Sequence, residues 1–360
     1  MRRTVVRLAL LAAVLCSAAA WSAERASIPI LYQVSDADSS LYILGSIHQL
    51  RPEDSKLPTV VQQIADRSSR IYFELSPEEL ADSSHRLPEL LQTMGFTHDG
   101  SRLTDLLSAE DGALLRTRMQ STGIPEAQWQ HMRPWLAALM LELDTLKALR
   151  LESQNGVDLQ LARKGKESPR EQVGLETLRD QLSVLADTAE HAQLANLVES
   201  LRRPALSKAA DANDAEVILQ AWLRGDVRAL IRVERKMKRQ FPRQHATLIV
   251  ERNRRWLPQL ESDLRARRSG HAMVVVGALH VIGPSGIVRL LQQRGYRVRR
   301  VTDLASVNSV TATATAAAQV SAQCNPQDMP ARTTRTLCTA LPKPRAWPSR
   351  RRLSRPQDTP

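Results

Sequence analysis

Met273 to His280 reads MVVVGALH, and Leu41 to His48 reads LYILGSIH. Each octet is a four-residue apolar run followed by G-x-x-H. Short apolar runs closed by a turn residue read as buried strands. In open α/β sheets, ligand sites form at the carboxyl ends of strands. A glycine there permits a tight turn, and a histidine three residues on can point into the crevice. The bare spacing is weak evidence, because Gly95 to His98 (GFTH) has it too. That third copy follows a helical stretch rather than a strand, so it is set aside.

Outward from the octets, Pro29 to Val34 (PILYQV) reads as a strand joined to Leu41–Leu44 by a turn-rich segment, a hairpin with a longer loop. Arg70 to Leu75 (RIYFEL) is a third strand, stopped by Ser76-Pro77. Glu171 to Leu175 (EQVGL) is a fourth, and Tyr296 to Val301 (YRVRRV) is the last. Between them the spacing is helical. Thr59–Arg70 has one apolar face, residues 78–150 read as helices, and Trp135–Leu151 is apolar enough to be well buried. Asn155-Gly156 is expected to end that helix, and Val157–Lys164 to form a turn or two stopped by Gly165. The stretch 187–268 reads as almost all helix, with Pro204, Gly225, Pro242 and Pro258 as breakers. Ala272–Val276, then a helix over Ser285–Arg294 capped by Gly295, then the last strand make a strand–helix–strand ending. The expected fold class is α/β, with a central mostly parallel or mixed sheet and a large helical insertion.

The ends of the chain read differently. Met1–Arg7 is basic, Leu8–Cys16 is an apolar run, and Ala18-Ala19-Ala20 and Ala23 offer small residues for cleavage. This is the order of a secretory signal, and it is too short for a membrane span. Leu15, just before Cys16, is too large for a lipoprotein signal. Residues 1–23 are thus expected to be a signal peptide and the chain to be periplasmic or secreted. Residues 306–360 are rich in Ala, Thr, Pro and Arg and are expected to be a disordered basic tail. Export would leave Cys324 and Cys338, which could pair in an oxidising compartment and close a small loop within the tail. The body between the ends, residues 24–305, is expected to fold as one domain.

The charge follows the same division. Of the net +12, +3 lies in residues 1–23 and +6 in residues 306–360, leaving +3 for the body. No basic face with interleaved aromatics appears there, so nucleic-acid binding is not expected. The tail could touch an anionic envelope surface. Three cysteines are too few for a disulfide scaffold or a Cys-rich zinc site. Oligomeric state is not legible.

The chemistry-bearing candidates follow from the strand ends. His48 and His280 close the two octets, and Glu74 lies near the end of RIYFEL. A carboxylate there is costly to bury unpaired, so it is an ion-pair partner, a metal ligand or a general base. Glu176 repeats the pattern after EQVGL. Glu251-Arg252-Asn253 lies on a helix with a charged surface and by spacing alone reads as a solvated face. Two histidines and one carboxylate would suit a divalent transition metal with open positions for water.

Six segments in order resemble the TraB/GumN family, which includes PrgY-type pheromone-inhibition proteins and the animal Tiki ectodomains. They are LYILGSIH (41–48), IYFEL (71–75), GVDLQLARKGK (156–166), VGLETLRDQL (173–182), ERNRRW (251–256) and VVVGALHVIGPSGIVRLLQQRGYRV (274–298). The resemblance implies a site built from both G-x-x-H histidines, the strand glutamate and an arginine, with His48, His280 and Glu74 on a metal. It implies a metal-dependent hydrolase of the peptidase kind, with Mn, Co or Zn as its ion and a peptide or small molecule as substrate. Arg252 would then stabilise charge on an intermediate, Asn253 would orient it, and Glu176 would support the ligands or act as base. The alternative is a protein that sequesters a peptide or small ligand without turnover. A weaker one, by likeness to haem-uptake ChaN proteins, is a haem- or iron-binding envelope protein.

Overall fold

The computed structural model describes residues 29–165, 170–202, 214–267 and 269–302. The expected signal peptide and basic tail, with all three cysteines, lie outside the described residues. The six expected strands all form: β1 (Ile30–Ser35), β2 (Ser40–Ser46), β3 (Arg70–Phe73), β4 (Glu171–Gly174), β5 (His271–Gly277) and β6 (Arg297–Arg300). They make one mixed sheet in the order β4-β3-β5-β2-β1-β6.

The two octets lie side by side in the middle of that sheet. β2 and β5 pair in parallel, with Leu41 opposite Ala272, Gly45 opposite Val276 and Ser46 opposite Gly277. Both strands are buried on both faces, which explains why their apolar runs are continuous rather than alternating. β3 pairs in parallel with β5 and β4, so four strands end at one edge. β1 runs against β2 in the expected hairpin, its loop turned by Asp36 Oδ1 accepting the Ser39 N–H at 2.9 Å. β6 pairs antiparallel with β1 and so shares the direction of β5 from the far side of the hairpin.

Helices fill the connections. Between β2 and β3 lies α1 (Thr59–Arg67). Between β3 and β4 lie α2 (Pro77–Gly95), α3 (Ala109–Thr122), α4 (Pro134–Ala148) and α5 (Val157–Gly165). Between β4 and β5 lie α6 (Leu178–Ala186), α7 (Glu190–Arg202), α8 (Asp214–Leu223), α9 (Val227–Gln240) and α10 (Arg252–Ala266). After β5 comes a helical turn, Ala278–Val281, and then α11 (Ile287–Gln293). One core gathers the sheet with Trp222, Leu230, Trp256 and Leu260. The helical insertion has its own, around Leu115, Met119, Trp135, Leu136 and Leu197.

Two helix limits differ from expectation, the end of α4 and the passage through Pro258. Pro134 starts α4, where its missing N–H is harmless. That helix ends at Ala148, before Asn155-Gly156, and Arg150 turns the chain with φ of 61°. Pro258 breaks nothing: α10 runs through it. Pro258 itself is exposed, while Trp256, Leu257, Leu260 and Leu264 on the other face are buried. Their packing outweighs the lost hydrogen bond. No described helix is long and apolar enough to cross a membrane.

Candidate functional site

The carboxyl ends of β2, β3, β4 and β5 bring His48, Glu74, Glu176 and His280 to one edge of the sheet. Glu74 Oε1 accepts the Gly277 N–H at 2.8 Å. The same oxygen lies 3.6 Å from His48 Nε2 and 4.0 Å from His280 Nε2. Histidines 232 positions apart in sequence thus flank one carboxylate oxygen.

The two rings are held in different ways. His280 is buried, and its Nδ1 lies 2.7 Å from Asn253 Oδ1. Arg252 Nη1 donates to its Nε2 at 3.0 Å. An arginine only donates, so Nε2 is the lone-pair nitrogen and Nδ1 carries the proton. Burial first, with help from Arg252 and His48, pushes its pKa down to about 3, so the ring is neutral. His48 sits at the mouth, with 56% of its side chain exposed. Its Nδ1 lies 2.9 Å from Asp158 Oδ2. Asp158, and to a lesser extent Glu74, hold its pKa well above the ordinary value.

Arg252 is the hub. Its Nη2 donates to Glu74 Oε2 at 2.6 Å and to Glu176 Oε1, its Nε donates to Glu176 Oε2 at 3.1 Å, and its Nη1 also reaches Leu248 O. Burial disfavours the guanidinium charge, but Glu74 and Glu176 outweigh it and raise its pKa. Burial likewise opposes the Glu74 charge, and His48, His280 and Arg252 nonetheless hold its carboxyl well below the usual range. The Trp256 ring lies under the guanidinium, 4.8 Å from Cζ to centroid, and 4.7 Å from the His280 ring. Its Nε1 donates to Glu176 at 3.2 Å.

One expectation is corrected here. Arg252 and Asn253 are not on a solvated face: they are 7% and 0% exposed, while Glu251 is exposed. Asn253 lies one turn before Trp256 and Leu257, on the face that continues to Leu260 and Leu264. A π-helical segment, Ala246–Glu251, leads into that face. Asn253 is engaged within the protein on both sides of its amide. Its amide nitrogen donates to His280 O and Ser285 O, so it orients the histidine. His98 is exposed, away from any strand end.

Asp158 and Trp256 were not singled out from the sequence. Asp158 sits in GVDLQ, whose glycine carries a signal. A Cβ on Gly156 would lie 2.1 Å from His48 O, so only glycine lets this segment approach the first octet. The Val157 N–H then donates to Ile47 O, and the next residue meets His48 and accepts from Ser46 Oγ at 2.9 Å.

The donor chemistry fits a divalent ion. Each imidazole has Nδ1 tied to an oxygen, the arrangement that fixes a metal-binding histidine. A Cβ on Gly277 would lie 3.3 Å from His48 Nε2, 3.4 Å from Glu74 Oε1 and 3.6 Å from His280 Cδ2, so the glycine keeps open the space they border. As the side chains stand, no group of three or more His, Cys, Asp or Glu among the described residues is placed to hold a metal ion. Arg252 Nη1 holds the His280 lone pair, and an ion would compete with it.

Fold and site define an α/β protein with a His–Glu–Arg cluster at the carboxyl ends of parallel strands. The TraB/PrgY/gumN family model matches residues 30–300, and the chain belongs to that family. No curated protein and no solved structure matches the chain.

Proposed function

We propose that this protein is an exported metal-dependent hydrolase acting on peptides. The observation that carries the reading is the flanking of Glu74 Oε1 by two Nε2 atoms whose Nδ1 partners are Asp158 and Asn253. His48, His280 and Glu74 would hold Mn, Co or Zn. When bound, the ion would polarise the scissile carbonyl and activate water. Glu74 is held anionic by Arg252 and the Gly277 N–H, so it keeps one orientation. Glu176 is engaged by Arg252 and Trp256, so it positions the guanidinium and is not free to act as base. His48, exposed at the mouth, is the group an incoming substrate meets first. Export rests on the order of residues 1–23, and the mature chain is expected to begin near Trp21 or Glu24 by mass spectrometry.

A second reading, sequestration without turnover, is favoured by one observation. Arg252 and Asn253 are both fully engaged within the protein, which leaves neither free to stabilise an intermediate. A peptide library incubated with Mn²⁺, Co²⁺ or Zn²⁺ separates the two. Cleavage by the purified mature chain that is lost in His280→Ala supports the hydrolase. Peptide retention without cleavage supports sequestration and overturns the hydrolase.

A further inference from the structure

Along the helices next to the site in sequence lies a half-open cavity of about 330 Å³. Trp135, Val184, Leu185, Met237, Phe241 and Leu279 supply its apolar wall. Three elements connect it to the His–Glu–Arg cluster. Leu279 lines the cavity and the next residue is His280. On α6, Gln181 donates to Glu74 Oε2 at 3.3 Å, and Val184 and Leu185, one turn on, line the cavity. Gln244 lines it from the helical stretch that continues through Ala246–Glu251 into Arg252.

The lining also states what kind of ligand fits. Among the described residues it contains no Lys or Arg and one acid, Glu142, so they offer an anionic group no counter-charge. Asn196 and Gln244 are half-buried at its wall, and among the described residues neither side-chain amide has a partner. Free amides beside an apolar wall suit the backbone N–H and C=O of an extended peptide. The volume is at the small end of ligand pockets, which run from about 300 Å³ upward. It has room for one bulky side chain.

We propose that this cavity is the subsite for a single large apolar side chain of a peptide, next to the bond at the His–Glu–Arg cluster. The proposal rests on the hydrolase reading for the bond and on the cavity alone for the side chain. Peptides differing only by Leu, Phe, Gly, Glu or Lys at one scanned position test it, with cleavage and binding both measured. Binding is read by anisotropy of a dye-labelled peptide. The wild-type chain is expected to favour Leu or Phe over Gly at one position by at least about 10-fold, since a single methylene in an apolar pocket can already discriminate by that much. Ala138→Trp, which grows a ring into the cavity, should erase that preference and leave the Gly peptide's kcat/KM near wild type. Gln244→Glu, a smaller change, should turn the preference towards Lys. If no peptide is cleaved but Leu peptides bind and Ala138→Trp abolishes it, the hydrolase reading fails and the subsite stands. Equal handling of Leu and Gly peptides, or a Leu preference that survives both variants with the fold intact by circular dichroism, overturns the subsite.

Discussion

His280 and His48 are displaced from the ordinary histidine pKa of 6.5 in opposite directions, and the two shifts act in different pH windows. Buried His280 refuses a proton down to about pH 3, whereas the unfolded chain accepts one below about 6.5. The unfolded state therefore binds more protons in that window, and stability falls as pH falls, by at most about 1.4 kcal/mol per pH unit. His48 has a raised pKa. Its stabilisation is fully present below 6.5 and is lost as pH rises through its folded value, weakly because the ring is largely exposed. Metal-free protein is expected to lose stability on both sides of about pH 6.5. His280→Asn should flatten the acid limb and His48→Gln the alkaline limb, as read by denaturant melts across pH. Asn253→Leu should cost about 1–3 kcal/mol, because it leaves the buried Nδ1–H of His280 unpaired. His98→Ala, at an exposed position, should change neither stability nor activity. The histidines and Glu74 were legible because each follows an apolar run. Asp158 was not, since one acid on a short helix looks like any other until the fold brings its segment against the first octet.

At the scale of elements, all six strands and the hairpin were legible, because continuous apolar runs between turn residues have few other readings. The parallel pairing of β2 with β5 was not, since register between distant strands is set by packing and leaves no local pattern. The face of α10 that carries Asn253 was legible in hindsight from Trp256, Leu257, Leu260 and Leu264, but the neighbouring arginines masked it. The two octet glycines differ in what they do, and substitution separates them. A Cβ on Gly45 would lie 2.9 Å from the Ala278 backbone, so Gly45→Ala should cost about 1–3 kcal/mol by overpacking. Gly277 has ordinary backbone angles, φ −50° and ψ 140°, and its Cβ would meet only site atoms. Gly277→Ala should melt near wild type yet lose activity, as read by thermal unfolding and peptide cleavage on the same sample.

Across the molecule, a sheet assembled from both ends of the sequence unites two similar octets, and the intervening helices deliver Arg252, Asn253 and Glu176 to the edge where they end. The topology makes one site from residues 48 to 280, so its parts should fail together. Metal content is the most direct reading of that claim. The mature chain, dialysed against Mn²⁺, Co²⁺ or Zn²⁺ and measured by elemental mass spectrometry, is predicted to hold about one ion per chain. His48→Ala and His280→Ala, each folded by circular dichroism, are predicted to hold essentially none. A wild-type chain that takes up no ion, or variants that keep the wild-type content, would contradict the account.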